Sequence, residues 1–134
     1  MMYMLDTNIL IFLIKQKPAA VLAHFQQHDF ADICVSSITV AELEYGIAKS
    51  GSPQKNKQTL DGWLQLLQRP AFDENAANAY GTLRTTLEAR GTPIGPLDTL
   101  IAAHALSLRA TLVTNNIREF SRVPGLTIED WTMH

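Results

Sequence analysis

The chain has 134 residues, of which 46% are hydrophobic and 18% are charged, a composition typical of one globular domain and unlike a disordered segment. A formal net charge of −2 and scattered lysines and arginines exclude a basic nucleic-acid-binding surface spread over the whole protein. The lack of an 18-residue apolar run argues against a membrane span, and the single cysteine leaves no internal disulfide. We therefore expect a single domain over residues 1–134, located in the cytoplasm.

The first part of the chain alternates short apolar strands with helices. Asp6, Thr7 and Asn8 are good helix-capping residues directly after an apolar segment, which predicts a strand, a turn and a helix. The predicted elements are, in order, a strand at Tyr3–Leu5, helices at Ile9–Ile14 and Ala19–Gln27, a strand at Ile33–Ser36 and a helix at Ile38–Lys49.

The second part continues this alternation. Gly91 is expected to end a long helix in a left-handed cap, and the following Gly/Pro segment through Pro96 cannot be regular structure. The predicted elements are a helix that begins at Pro53, a minor strand at Arg69–Phe72, helices at Glu74–Ala89 and Asp98–Arg109, a strand at Ala110–Thr114, a short helix near Glu119 and a strand at Leu126–Ile128. This order predicts a three-layer α/β/α domain with a mainly parallel sheet.

Carboxylates follow the predicted strands. In an open parallel sheet, ligands bind beyond the carboxyl ends of the strands. The acids expected at this edge are Asp6, Glu42, Asp98 and Glu119, accompanied by the polar residues Asn8, Ser37, Thr114 and Asn116. Because several carboxylates in one crevice repel each other, and because oxygen ligands suit hard cations, the pattern predicts a Mg²⁺ or Mn²⁺ site. Such an ion supports hydrolysis of a phosphodiester bond.

Each acid also has a purely structural interpretation. Asp6 is a possible N-cap, and Asp98 and Glu119 lie in the first turns of predicted helices, where a negative charge complements the helix dipole. The segment Thr39–Glu42 matches a capping box. No single acid therefore establishes the site, and the strongest of them is Asp6, an acid at the end of an apolar strand.

Four segments carry a resemblance to a known family. They read MLDTNILIFL, SSITVAELEYG, GTPIGPLDTLIAAHA and LVTNNIREFSRVPGLTIEDW, and together they span nearly the whole chain. The ordered set resembles VapC toxins of the PIN-domain superfamily. The resemblance implies a PIN fold, a Mg²⁺- or Mn²⁺-dependent endoribonuclease, and RNA products with a 5′ phosphate.

The resemblance also implies roles for individual residues. Asp6 and Asp98 would be metal ligands, and Glu42 would hold a metal-bound water or a second ion. Residues that would orient the carboxylates are Thr7, Asn8 and Thr114. One position departs from the pattern, because many relatives carry an acid where this chain has Asn116. Glu119 is the expected substitute, and a mechanism with one tightly bound ion is a reasonable hypothesis.

The resemblance extends to partners. It implies neutralisation by a VapB antitoxin, which itself binds DNA, so that DNA is contacted only indirectly. It also implies a homodimer and, because the similarity is to the enterobacterial type, cleavage of initiator tRNA in the anticodon loop. A tRNA loop presents splayed bases that a small protein of modest positive charge can recognise.

Other residues carry weaker signals. The basic residues expected to flank the crevice and bind RNA are Lys49, Arg84, Arg90 and Arg118. His24 and His28 are four residues apart, but no third ligand accompanies them, so we expect both to be exposed at a helix end. His104 is interpreted as a helix-face residue.

Three other functions are alternatives for this chain. A phosphoacceptor receiver domain fits poorly. Such a domain has an acidic pair after its first strand, an Asp after its third and a Lys after its fifth, and this chain has none of these in place. A haloacid-dehalogenase-like phosphatase also has an Asp after its first strand, but its second acid is replaced here by Asn8. A catalytically silent domain whose acids bind a basic partner is the third alternative, and retained activity would exclude it.

Overall fold

The computed structural model describes residues 1–133, and strands and helices alternate along them. The strands are β1 (Tyr3–Leu5), β2 (Ile33–Val35), β3 (Thr111–Val113) and β4 (Ile128–Glu129). The helices are α1 (Thr7–Lys15), α2 (Ala19–Phe25), α3 (Ser37–Ala48), α4 (Pro53–Leu64), α5 (Glu74–Ala89), α6 (Pro96–Leu108) and α7 (Ile117–Phe120). A single 3-10 turn at Phe30–Asp32 precedes β2.

The strands form one sheet in the order β2-β1-β3-β4, and all of its pairings are parallel. Leu5 pairs with Val35 on one side and with Val113 on the other. The chain therefore leaves β1 toward one edge for β2 and returns to its other side for β3. A crevice at the carboxyl ends of β1 and β3 follows from this reversal, and it is the usual ligand position in such sheets.

Helices cover both faces of the sheet, which confirms the predicted three-layer α/β/α architecture. Side chains alternate along each strand, so Met4 and Leu5 point to opposite faces. Met4 belongs to a buried cluster with side chains of α5 and α6. Leu5 belongs to a second cluster with side chains of α1, α2 and α4. Burial on both faces explains why the strands are continuously apolar.

Helix boundaries follow local capping chemistry. Pro53 and Pro96 are the first residues of α4 and α6. Proline is favourable there, because the N–H group that it lacks would have no acceptor within the helix at this position. Gly91 follows α5 with a φ of 68°, as predicted, in the left-handed region that favours glycine. The loop from Gly91 to Pro96 thus brings the chain from α5 to the first turn of α6 at the carboxyl edge of the sheet.

Two predicted strands differ from the structure. The minor strand predicted at Arg69–Phe72 is wrong. Only Gln68 pairs with β2. Its carbonyl accepts from the Val35 N–H and its N–H donates to the Ile33 carbonyl, both at 3.0 Å, and Pro70 has no N–H to extend the ladder. The last strand begins at Ile128 and not at Leu126. Among the described residues, no helix combines the length and apolar character needed to cross a bilayer.

Candidate active site

Asp6 lies at the centre of the carboxyl edge. Its backbone N–H donates to the Val113 carbonyl at 3.0 Å, so the residue sits between β1 and β3. Its carboxylate accepts a hydrogen bond from the Ile9 N–H at 2.9 Å and thereby caps α1. Only 4% of the residue is exposed. Capping therefore uses Oδ1, and both interpretations of Asp6, cap and site residue, are compatible.

Burial raises the pKa of Asp6 above its ordinary value, and the negative charge of Glu42 adds to this shift. Hydrogen bonds from the Thr114 hydroxyl and the Ile9 N–H act in the opposite direction. Thr114 is fully buried and therefore well placed to hold the carboxylate in one orientation. Asn8 contributes its backbone N–H to Asp6, while its side chain is exposed.

Glu42 reaches the same edge from α3. The Thr7 hydroxyl donates to Glu42 Oε1 at 2.8 Å, and Thr7 Oγ1 lies 3.2 Å from Thr39 Oγ1. The capping-box interpretation is wrong, because α3 is capped by Ser36, whose Oγ accepts from the Ile38 N–H at 3.0 Å. Glu42 is thus free of the helix terminus and is instead held against α1, beside Asp6.

Asp98 and Glu119 form a hydrogen-bonded pair of carboxyl groups. Asp98 is the third residue of α6, and burial, with the hydrogen bond and charge of Glu119, raises its pKa to about 7. The charges of Asp6 and Glu42 raise it further, which places all four acids within electrostatic reach of one another. Below about pH 7, Asp98 is therefore the protonated member of the pair, and its O–H donates a hydrogen bond to Glu119.

Glu119 is the ionised member of this pair. Burial alone would raise the pKa of Glu119, but hydrogen bonds from the Asn116 amide and the Asp98 carboxyl lower it. The Asn116 Nδ2 donates to Glu119 Oε2 at 2.6 Å, and the Asn116 N–H donates to Thr114 Oγ1 at 2.9 Å. Asn116 thus orients Glu119, and the role of Glu119 as the substitute acid stays a prediction.

The Gly/Pro loop closes against these acids. Glu119 accepts a hydrogen bond from the Gly95 backbone, and a Cβ atom at Gly95 would lie 3.5 Å from Asp98 Oδ2. Arg122 donates to the Pro93 carbonyl at 2.9 Å, and its charge also lowers the pKa of Glu119. Sequence analysis missed Arg122, because nothing in its immediate neighbours distinguishes it from the other scattered basic residues.

The four acids form an oxygen-only donor set at the carboxyl edge. Within residues 1–133, no three Asp, Glu, His or Cys side chains already stand close enough to ligate one ion. Asp98 and Glu119 share a hydrogen bond, whereas Thr114 holds Asp6 and Thr7 holds Glu42. Carboxylate oxygens without histidine or cysteine suit Mg²⁺ or Mn²⁺ and not zinc. The donor chemistry therefore fits a hard divalent cation.

The raised pKa of Asp98 gives a pH prediction. The folded protein binds a proton at Asp98 between about pH 4 and pH 7 that the unfolded chain has lost, so stability from this group falls as pH rises through 7. We expect the melting temperature without metal to fall by about 3 to 6 °C between pH 5 and pH 8. Added Mg²⁺ should raise the melting temperature more at pH 8 than at pH 5. The change of melting temperature with pH, measured by calorimetry, should be smaller in Asp98→Asn. An equal change in both proteins would contradict the raised pKa of Asp98.

The predicted basic residues lie in different settings. Arg84 is engaged on the surface of α5, where Nη1 donates to Tyr80 Oη at 2.9 Å and Nε lies 3.4 Å from Glu88 Oε2. Lys49 Nζ lies 4.6 Å from the centre of the Tyr45 ring at the end of α3. Arg90 follows α5 and Arg118 lies on α7, and both are exposed. The structure thus brings none of them into contact with the acids.

A buried polar pair ties two helices of the site together. His104, expected on a helix face, is only 1% exposed, and its Nδ1 lies 2.7 Å from Ser36 Oγ. Burial lowers the pKa of His104, against the charge of Asp73 and the nearby Ala71 carbonyl. The hydrogen bond between this imidazole and the hydroxyl of Ser36, the residue that caps α3, links α3 to α6. No local sequence signal identifies this contact.

Comparison with known proteins gives consistent relatives. The family model described as PIN domain matches residues 3–126. The tRNA(fMet)-specific endonuclease VapC of Salmonella typhimurium is 45% identical over 129 residues, which cover 96% of this chain and 97% of the relative. Ribonuclease VapC2 of Rickettsia felis is 44% identical and covers 98% of both chains.

A solved structure extends the likeness to three dimensions. The crystal structure of VapBC2 from Rickettsia felis, bound to a DNA fragment from its promoter, contains a chain that superposes with a TM-score of 0.92. The two chains are 43% identical, and the match covers 98% of this chain and 99% of the other. Sequence and fold therefore point to the same relatives.

Proposed function

This chain belongs to the PIN-domain family, among the VapC ribonucleases, and from that premise we propose that it is a divalent-metal-dependent toxin that cuts tRNA and is held inactive by a VapB antitoxin. The observation that carries the proposal is the electrostatic coupling of Asp98 to Asp6, Glu42 and Glu119 at the carboxyl edge of β1 and β3. Four acids from separate elements converge there, which a purely capping role would not require.

We assign Asp6 and Asp98 as ligands of Mg²⁺ or Mn²⁺. When bound, the ion lowers the pKa of water and stabilises negative charge at the cleaved phosphate. The remaining groups orient these acids or accept a proton. Thr114 and the Asn8 N–H orient Asp6, Thr7 orients Glu42, and the free Glu42 oxygen is available to accept a proton from water.

Asn116 and Glu119 form the part of the site that lies beside Asp98. A neutral amide at Asn116 donates to Glu119 and leaves a single carboxylate at this position. One tightly held ion, with a second recruited by the RNA phosphates, is consistent with this donor set. Asp6, Glu42, Asp98 and Glu119 are the proposed catalytic acids.

The substrate and partner proposals rest on the relatives. We propose tRNA(fMet) as the substrate, because the Salmonella relative is named as specific for it. We propose a cut in the anticodon loop, because a loop presents splayed bases that a small protein can recognise. A VapB antitoxin would cover the acidic edge and contact promoter DNA, so that this chain meets DNA only indirectly. Lys49, Arg84, Arg90 and Arg118 remain proposed RNA contacts. We further propose a single domain over residues 1–134, a homodimer, and action in the cytoplasm, where tRNA is found.

Neither of the remaining alternatives explains the site as well. A haloacid-dehalogenase-like phosphatase needs a second acid where this chain has Asn8, whose side chain is exposed and contributes no charge. A silent partner-binding domain would not need Thr7 and Thr114 to hold two acids in fixed orientations. Cleavage of RNA by the purified protein would distinguish the proposed function from both alternatives.

The decisive experiment is cleavage of total bacterial RNA by the purified full chain. We expect cutting at one tRNA in the presence of Mg²⁺ or Mn²⁺, with 5′ phosphate ends, and loss of cutting with chelator or with a molar equivalent of purified VapB. Mapping the ends by sequencing identifies the RNA. Absence of metal-dependent cutting at every RNA would contradict the proposed function, while cutting of another RNA would contradict only the tRNA(fMet) assignment.

A further inference from the structure

Tyr45 is an aromatic side chain that lies outside the core. It is 68% exposed, whereas the other tyrosines, Tyr3 and Tyr80, are partly buried against the two core clusters. Tyr45 lies on α3, three residues after Glu42, so the two side chains occupy neighbouring positions on one helix face. An exposed ring contributes little to folding, because its apolar surface stays in water. Packing therefore does not account for it.

Tyr45 lies on the same face of α3 as Glu42, an acid of the proposed site. Side chains on a helix lean toward its N-terminus and cover the turn before their own Cα atom. The ring of Tyr45 therefore covers surface near Glu42, about 4.5 Å along the helix axis from that residue. Glu42 is in turn fixed to Thr7 at 2.8 Å, beside the metal ligand Asp6. Tyr45 thus lies within one helical turn of an acid of the proposed site.

A cation lies next to this ring. Lys49, the residue directly after α3, places its Nζ 4.6 Å from the centre of the Tyr45 ring. Within the described residues Lys49 makes no ion pair, while the adjacent acid Glu44 is neutralised by Lys57 at 2.6 Å. The face of α3 beyond Glu42 therefore presents one aromatic surface and one available positive charge. We call Tyr45 and Lys49 the α3 stripe.

We infer that the α3 stripe is a nucleotide subsite, in which an unpaired base near the cleaved phosphate stacks on Tyr45 and a neighbouring phosphate binds Lys49. Stacking on an aromatic side chain beside a basic group is the general means by which proteins hold single-stranded nucleic acid. The stripe gives local positive charge to a chain whose overall charge is −2. This inference rests on the proposed ribonuclease function.

The test compares full-length variants on a tRNA(fMet) transcript under metal. Tyr45→Ala should lower kcat/KM about 10- to 100-fold, while Tyr45→Phe, which keeps the ring, should stay within about 3-fold of the unaltered protein. Lys49→Ala should lower kcat/KM by about 3- to 10-fold and reduce its dependence on salt concentration. The matched controls, Leu108→Ala and Lys55→Ala, lie on exposed surface and should change nothing.

Abasic RNA isolates the stacking contact. Removing the base at each position within three nucleotides of the mapped cut should identify one position where cleavage drops, and Tyr45→Ala should cause no further loss on that RNA. If Tyr45→Ala costs the same on every abasic RNA, or nothing on the intact one, the subsite is wrong. If it weakens only the capture of purified VapB, the stripe belongs to the antitoxin interface and the inference is overturned.

These outcomes are separable from failure of the proposed function. Loss of cutting in Asp98→Asn together with an unaltered Tyr45→Ala protein would reject the subsite and keep the catalytic site. Equal cutting by Asp98→Asn would reject the catalytic site itself.

Discussion

Asp98→Asn is expected to lower kcat for RNA cleavage on the order of 10³-fold and, at the same time, to raise the melting temperature of the metal-free protein. Both effects come from one charge. Asparagine cannot supply a negative ligand to the cation, so cleavage fails. The same replacement removes a carboxyl group whose burial, together with the negative charges around it, raises its pKa to about 7, so the fold without metal gains stability above neutral pH.

Asp6→Asn is expected to abolish cleavage to a similar extent without unfolding the protein. The asparagine carbonyl can still accept the hydrogen bond from the Ile9 N–H, which Asp6 receives at 2.9 Å, and so it keeps the cap of α1. Asp29→Asn is a matched control, because Asp29 is exposed and makes no side-chain cap bond. Cleavage rates equal to that of Asp29→Asn in either site variant would refute the assigned metal ligands.

Trp131→Ala is expected to lower the free energy of unfolding by about 3 to 5 kcal/mol, since a fully packed indole would leave a large cavity. Trp131 is 1% exposed, and its ring stacks on His28 and His24 at centroid distances of 5.1 and 5.7 Å. Its Nε1 donates to Glu129 Oε1 at 3.0 Å, which anchors the segment after β4. Urea unfolding measures the effect.

Two further variants control this result. Met133→Ala, at a residue that is 68% exposed, should change stability by less than about 0.5 kcal/mol. Trp131→Phe should lie between the two and remains measurable if the alanine variant does not fold. Equal stability of the Trp131→Ala and Met133→Ala proteins would show that the indole is not a core element.

The histidines beside Trp131 show where sequence analysis failed. His24 and His28 were expected to be exposed at a helix end, but both are partly buried against the indole. Both rings stack on the same indole. Their partner, however, comes from the C-terminal segment more than 100 positions away, and local periodicity carries no information about it.

The acids could be selected from the sequence because their positions depend on local features. Asp6 follows an apolar strand, and Asp98 follows a Gly/Pro loop at the start of a helix. In a parallel sheet such positions share one edge, so the placement follows from topology. For Glu42 the sequence permits two interpretations, a site acid and part of a capping box at Thr39–Glu42. The structure decides between them, because Ser36 caps α3.

By itself the sequence determined the order of strands and helices, the parallel sheet between two helical layers, and the carboxylates at its edge. These follow from periodicity, capping residues and the direction of βα connections, all of which are local. Only the tertiary structure decided the contacts that give each acid its orientation and protonation. Thr7 meets Glu42 across 35 positions and Ser36 meets His104 across 68, because helix packing on the sheet, and not chain proximity, brings these side chains together.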